Sequence, residues 1–149
     1  FKHAQDALWV SEPGYLIGGL TEAAYKDGLE WNKDLCKYLG ENAELITSFF
    51  AENDLGIKMV NGKASFVTFL DCTGVYDKIK KRVEETPEKY ESTSGGVLSR
   101  FFGVEASVAM NDGPWFGDQY YKFVRFNYGT SRDKVYNALL RIKKAVESL

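Results

Sequence analysis

Histidine is nearly absent: His3 is the single one in 149 residues. One imidazole cannot build a His/Cys metal cluster, so His3 reads as a surface residue and no metal is expected. Cysteine is scarce too. Cys36 and Cys72 lie far apart and form no CxxC, which reads as two free, mostly buried thiols in a reducing compartment. Neither sign of charge dominates: 19 Lys and Arg stand against 21 Asp and Glu, a net charge of −2, which gives non-specific nucleic-acid binding little electrostatic support. No uninterrupted apolar run is long enough to cross a bilayer, and no charged-then-apolar leader opens the chain, so no membrane partner is expected. There is no internal repeat, no low-complexity tract, and no GxGxxG, Walker-type loop, GxSxG or HExxH. Phe1 stands where a start Met would, which leads us to expect a piece of a longer chain.

Apolar and aromatic residues are plentiful, at 44% and 15% of the chain. That supports a sizeable core in one domain of ordinary size. The stretch Phe1 to Gly19 reads as irregular, with a turn at Pro13-Gly14 and a flexible spot at Gly18-Gly19. A short helix is expected from Thr21 to Gly28. A long amphipathic helix is expected from Leu29 to Asn53, because Trp31, Leu35, Tyr38, Leu39, Ile46, Phe49 and Phe50 recur at spacings of three, four or seven. Trp31 at that spacing reads as core.

Ile57 to Val60 and Lys63 to Leu70 flank Asn61-Gly62. An Asn-Gly pair between strand-like runs predicts a type I′ hairpin, since both central residues need positive φ. The second strand is apolar on both faces and is expected to be central. Val75 to Val83 reads as a short helix. Glu84 to Gly96 reads as a polar surface loop, Val97 to Phe102 as further helical turns, and Val104 to Met110 as a short strand. A glycine-rich turn follows from Asn111 to Gly117. Tyr120 to Tyr128 alternates as a strand. Thr130 to Asp133 resembles a capping box, opening a helix whose apolar face carries Val135, Leu139, Ile142 and Val146. The sum is an α+β fold: a small antiparallel or mixed sheet covered by helices on one face and preceded by a long helix.

Arg125 is the chemically interesting residue. Period two places Tyr121, Phe123, Arg125 and Asn127 on one strand face and Lys122, Val124, Phe126 and Tyr128 on the other. A guanidinium among aromatics can grip a carboxylate with two parallel hydrogen bonds. An ordinary exposed strand arginine, or a structural salt bridge, satisfies the same spacing and is the simpler reading on spacing alone. The Asn111–Gly117 turn is similarly open: a plain connection, or a loop lining a site.

Several runs in order carry a resemblance. They are Ala23-Ala24-Tyr25 with Gly28 and Trp31; Tyr38-Leu39 with Asn42; Ala64 to Asp71; Gly103-Val104 with Gly113 and Phe116-Gly117; and Phe123-Val124-Arg125-Phe126-Asn127 with Ser131-Arg132. Together these resemble the C-terminal small domain of fold-type I, pyridoxal-phosphate-dependent class I/II aminotransferases, in the branch of cystathionine β-lyase-like C–S lyases. The resemblance runs along almost the whole chain. It implies one small domain over 1–149, with 1–28 as the tail of a large-domain or interface segment. It also implies a missing N-terminal large domain, an amino-acid substrate, a cytoplasmic homodimer and pyridoxal 5′-phosphate as cofactor.

On that resemblance Arg125 matches the arginine that binds the substrate α-carboxylate. Gly113 and Phe116 match the loop beside the substrate, and Tyr15 lies in a segment near the active site. The Schiff-base lysine and the residues holding the pyridine ring belong to the absent part, so the chain alone is expected to hold no cofactor and to supply no catalytic residue. Ser131 replaces the family's proline, Phe66 stands where tyrosine is common, and the 84–96 stretch is long for the family. Transamination and β-elimination stay unseparated. The contrasting reading is a stand-alone α+β module in which Arg125 recognises an anionic metabolite.

Overall fold

A computed structural model describes residues 2–7, 14, 16–60, 64–91 and 95–149. Its contacts divide the chain into two units, 1–38 and 39–149, with the boundary inside one helix.

The first unit is helical. Helix α1 spans Lys2–Ala7, α2 spans Ile17–Asp27, and α3 (Leu29–Glu52) begins here. The expected irregular start is therefore corrected at 2–7 and 17–19, while 8–13, including Pro13 of the expected turn, lie outside the described residues. Gly18 and Gly19 lie inside α2, which starts four residues ahead of Thr21. Gly28 does cap α2, donating its N–H to the Ala24 carbonyl at 3.0 Å. Nothing on α2 is buried, and Trp31 is 69% exposed. The helical spacing around Trp31 was right, but no described residue of this unit covers the apolar stripe. Cys36 is likewise exposed, while Cys72 is buried, and both are free. His3 is exposed.

The second unit holds the core. Four strands, β1 (Lys58–Met59), β2 (Val67–Asp71), β3 (Asn111–Asp112) and β4 (Phe123–Asn127), form one sheet in the order β1-β2-β4-β3. Every pairing is antiparallel. β2 is interior, as its two apolar faces imply. β1 and β2 do pair antiparallel, but Lys58 faces Asp71 and Met59 faces Leu70, whereas a two-residue turn at Asn61-Gly62 would set Val60 opposite Lys63. Residues 64–66 are bends and β2 begins only at Val67, so the expected type I′ hairpin is corrected to a longer connection; Asn61 and Gly62 themselves lie outside the described residues. Alternation assigns each side chain to a face. Leu70 and Val124 are cross-strand partners, as are Thr68 and Phe126, and all four are buried.

These four meet the apolar stripes of the helices. From α3 come Ile46, Phe49 and Phe50. Helix α4 (Tyr76–Glu85) adds Ile79 and Val83, and α5 (Val97–Ala106) adds Leu98, Phe101, Phe102 and Ala106. Helix α6 (Arg132–Glu147) adds Val135, Ala138, Leu139, Ile142 and Ala145. Each of the larger side chains among them (Val, Leu, Ile, Phe) contributes roughly 1.5–3 kcal/mol of transfer free energy. This is the expected one-face-covered antiparallel sheet.

Polar anchors tie the layers. Asn42 is fully buried, and its amide donates to the carbonyls of Tyr128 (3.2 Å) and Thr130 (3.1 Å) just beyond β4. Lys143 of α6 donates to the Asn53 side-chain oxygen at 2.5 Å, and Arg132 pairs with Glu41.

Three further expectations fail in this unit. The strand proposed for Val104–Met110 is the end of α5, which runs to Ala106 and stops at Ser107 in the left-handed conformation, φ 51°. Val104, Val108 and Met110 alternate in sequence, but the Phe101, Phe102 and Ala106 stripe decides the period. The polar stretch from Glu84 is not simply a loop. It finishes α4, makes a 3-10 turn at Pro87–Lys89, and buries Tyr90 completely. Finally, Ser131 is the N-cap of α6, yet its side chain makes no capping hydrogen bond. Among the described residues no helix is long and apolar enough to cross a membrane.

Candidate anion-binding face

The sheet face opposite the helices carries Val67, Phe69, Phe123, Arg125 and Asn127, none of them fully buried. Arg125 is the cross-strand partner of Phe69 on one side and of Asn111 on the other. Its Nη2 donates to the Asn111 Oδ1 at 2.6 Å. Its guanidinium carbon lies 5.3 Å from the centre of the Phe116 ring, in the range where a ring quadrupole attracts a cation. Its Nε is buried without a hydrogen-bond partner. Among the described residues Arg125 makes no ion pair. It is a fork held by a neutral amide and an aromatic ring, with its charge paired to no described acid.

Aromatic rings fix that arrangement. Phe69 meets Phe116 edge-on at 5.3 Å and stacks on Tyr120 at 5.6 Å. Phe123 closes the group against Phe69 and Tyr120 at 6.3 and 5.8 Å. Phe116 stays 43% exposed and Trp115 68% exposed. Tyr120, expected in the strand, lies instead in a 3-10 turn, Asp118–Tyr120, which lets its ring stack on Phe69.

Two glycines make the loop. Gly113 is buried, and a Cβ there would fall 1.9 Å from the Tyr120 carbonyl oxygen and 2.6 Å from that of Phe123. Its part is to let the loop press on the backbone before β4; nothing about it requires contact with a ligand. Gly117 has φ 137° and ψ 141°, a region essentially closed to other residues. It sets the turn that carries Phe116 over Arg125.

Asp112 points to the helical side. It is buried, accepts the Gly96 N–H at 2.5 Å and is hydrogen-bonded by the Ser99 hydroxyl. It thereby satisfies the N-terminus of α5, where negative charge is favoured. On the Arg125 face, Asp71 accepts the Thr73 N–H at 2.9 Å.

Of the expected site residues, Arg125 and Phe116 come together, Gly113 supports them from beneath, and Tyr15 lies outside the described residues. Asn111, Phe69 and Tyr120 were missed as partners. β3 is two residues long and pairs at a distance of 14 positions, so no local pattern announces it. Chemically the face fits a carboxylate. Among the described residues no lysine is buried. No described acid, cysteine or histidine cluster could hold a metal.

No protein-family model matches the chain. In sequence it is 26% identical over 124 residues to a protein of Mycobacterium leprae (strain TN) assigned as a cystathionine β-lyase, covering 83% of this chain and 30% of that protein. A structure from Corynebacterium diphtheriae, assigned as a pyridoxal-phosphate-dependent β-cystathionase, is 30% identical at TM-score 0.62, over 85% of this chain and 29% of that one. Cystalysin from Treponema denticola, which contains pyridoxal 5′-phosphate, superposes at TM-score 0.74 with 19% identity, over 98% of this chain and 33% of its own. The chain thus spans about three-tenths of the length of these relatives. It has the fold of the small C-terminal domain of aminotransferase-like enzymes, and its sequence is similar to the cystathionine β-lyase-like, pyridoxal-phosphate-dependent enzymes of that fold.

Proposed function

We propose that the chain is the C-terminal small domain of a pyridoxal-phosphate-dependent enzyme acting on amino acids, and that Arg125 binds the substrate α-carboxylate. One observation carries this reading: a half-buried guanidinium on the sheet face opposite the helices, steered by Asn111 and Phe116, with no ion pair among the described residues. A partly buried cation needs an anionic partner, and a carboxylate matches the fork. The cofactor, when bound by the rest of the enzyme, supplies the electron sink for charge developing at the substrate Cα. Arg125 contributes orientation, fixing which Cα bond faces that sink. Phe116, Phe69 and Tyr120 exclude water from one side of the clamp. Gly113 acts through the loop, and Tyr15 is proposed as a neighbour of the same site. Closure of this domain over the substrate, a homodimer and a cytoplasmic setting belong to the same proposal. Two free thiols, one of them exposed, suit a reducing compartment.

The test is Arg125→Ala in the protein of natural length. Loss of a bidentate charged clamp lowers kcat/KM by about 2–5 kcal/mol, and Arg125→Lys recovers only part of it because a point charge cannot present two parallel donors. An unchanged kcat/KM in Arg125→Ala would make the residue structural and sink the proposal. Assays with cystathionine, and with an amino acid plus a keto acid, separate β-elimination from transamination.

A further inference from the structure

We propose that Asn111 is a positioning residue for Arg125, and that being an amide, not an acid, is what keeps the guanidinium's charge available to an incoming carboxylate. This rests on the reading of Arg125 as a carboxylate clamp. The geometry supplies the first half. Asn111 is the cross-strand partner of Arg125, and its Oδ1 holds Nη2 at 2.6 Å. That bond fixes the plane of the fork from the side while Phe116 fixes it from the face. A long arginine side chain otherwise loses substantial rotamer freedom when it binds, so holding it beforehand favours binding.

The second half comes from the order Asn111-Asp112. Period-two geometry sends these neighbours to opposite faces. The carboxylate goes to the helical side and is consumed by Gly96 and Ser99. The neutral amide goes to the Arg125 side. A carboxylate at 111 would sit where the amide oxygen now sits, pair with the guanidinium, and repel the ligand's own carboxylate. The same two residues in reverse order would place an acid against the clamp.

The test uses the holoprotein of natural length with two probes, L-norleucine and its carboxamide, whose dissociation constants are read by calorimetry. The parent protein prefers the carboxylate form. Asn111→Ala is expected to weaken carboxylate binding about 10-fold and Asn111→Asp about 100-fold, while carboxamide binding changes little in either. The rank order matters. A merely structural role predicts the reverse, since Asp is nearly isosteric with Asn and Ala is not. Asn111→Ser, smaller and neutral, should fall with Ala and serves if Asn111→Asp does not fold. Carboxylate preference unchanged in the Asn111 variants but lost in Arg125→Ala overturns this inference and leaves the clamp reading standing. Preference retained in Arg125→Ala overturns both.

Discussion

Replacing Gly113 with alanine should be among the most damaging single-methyl additions in this chain. The added Cβ would lie 1.9 Å from one carbonyl oxygen and 2.6 Å from another, where ordinary contact begins near 3.4 Å. The obstructing atoms are backbone, belonging to Tyr120 in its 3-10 turn and to Phe123 at the start of β4, so no flexible side-chain end can swing aside. The loop must move by more than an ångström. The cost sits at or above the top of the overpacking range, about 3 kcal/mol. With a urea dependence of about 2 kcal/mol/M for a chain of this size, the unfolding midpoint should fall by about 1.5 M. Gly40→Ala is the control. It lies within α3, and nothing surrounds its added Cβ within 4 Å, so it should raise stability by about 0.5–1 kcal/mol through helix propensity. The readout is equilibrium urea unfolding followed by circular dichroism. A midpoint for Gly113→Ala equal to that of the parent would refute the close packing of loop on backbone, and with it the account of how Phe116 is held over Arg125.

Burial, with a 2.5 Å hydrogen bond to Glu105, pushes the Tyr90 phenol up to about 12. Unfolded tyrosine ionises near 10, so above that pH the unfolded chain releases the proton first and stability falls as pH rises from about 10 to 12. Tyr90→Phe should remove that slope while costing about 1.5–3 kcal/mol at neutral pH; an unaltered alkaline profile would show that Tyr90 does not carry it. Burial also opposes charge on Glu105, but hydrogen bonds from Lys89 and Tyr90 outweigh it and hold the carboxyl below its usual value. That contribution is complete at neutral pH and is lost as pH falls through the lowered value, so Glu105→Gln should flatten the acid limb of stability. A thiol reagent should titrate only Cys36 in the folded protein and both thiols in urea, because burial, reinforced by Asp71, pushes the Cys72 thiol up; rapid native labelling of Cys72 would contradict its burial. Asn42→Ala should cost about 2–3 kcal/mol by leaving the Tyr128 and Thr130 carbonyls without their donor, checked by urea unfolding, and a loss below half that would mean water replaces the amide.

Periodicity made much of this fold legible. The alternation from Tyr121 to Tyr128 assigned Arg125 and Val124 to opposite faces, and the structure agrees because a strand buried on one side leaves no other register. Helices α3 and α6 were equally legible, since each keeps an apolar stripe over several turns. Legibility ended where a residue's fate depended on distant chain. Tyr90 sits in a polar run and is buried only because α4 and α5 converge on it. Val104 looked β-like until the aromatic pair Phe101 and Phe102 was seen to extend the helix past it. At the candidate site, Arg125 was visible from its strand and Phe116 through the resemblance. Asn111 was not visible, because a two-residue strand has no period of its own.

Both outer strands of the sheet, β1 and β3, are only two residues long. Each outer margin therefore offers little backbone for another chain to extend, which is one of the ways proteins blunt edge-to-edge aggregation. The sheet face opposite the helices, with its half-buried aromatic rings, is the larger invitation. Self-association through this face, where it occurs, would proceed by rings meeting rings, and would be sensitive to added carboxylate and to Phe116. Strand addition in the manner of a fibril has little margin on which to start.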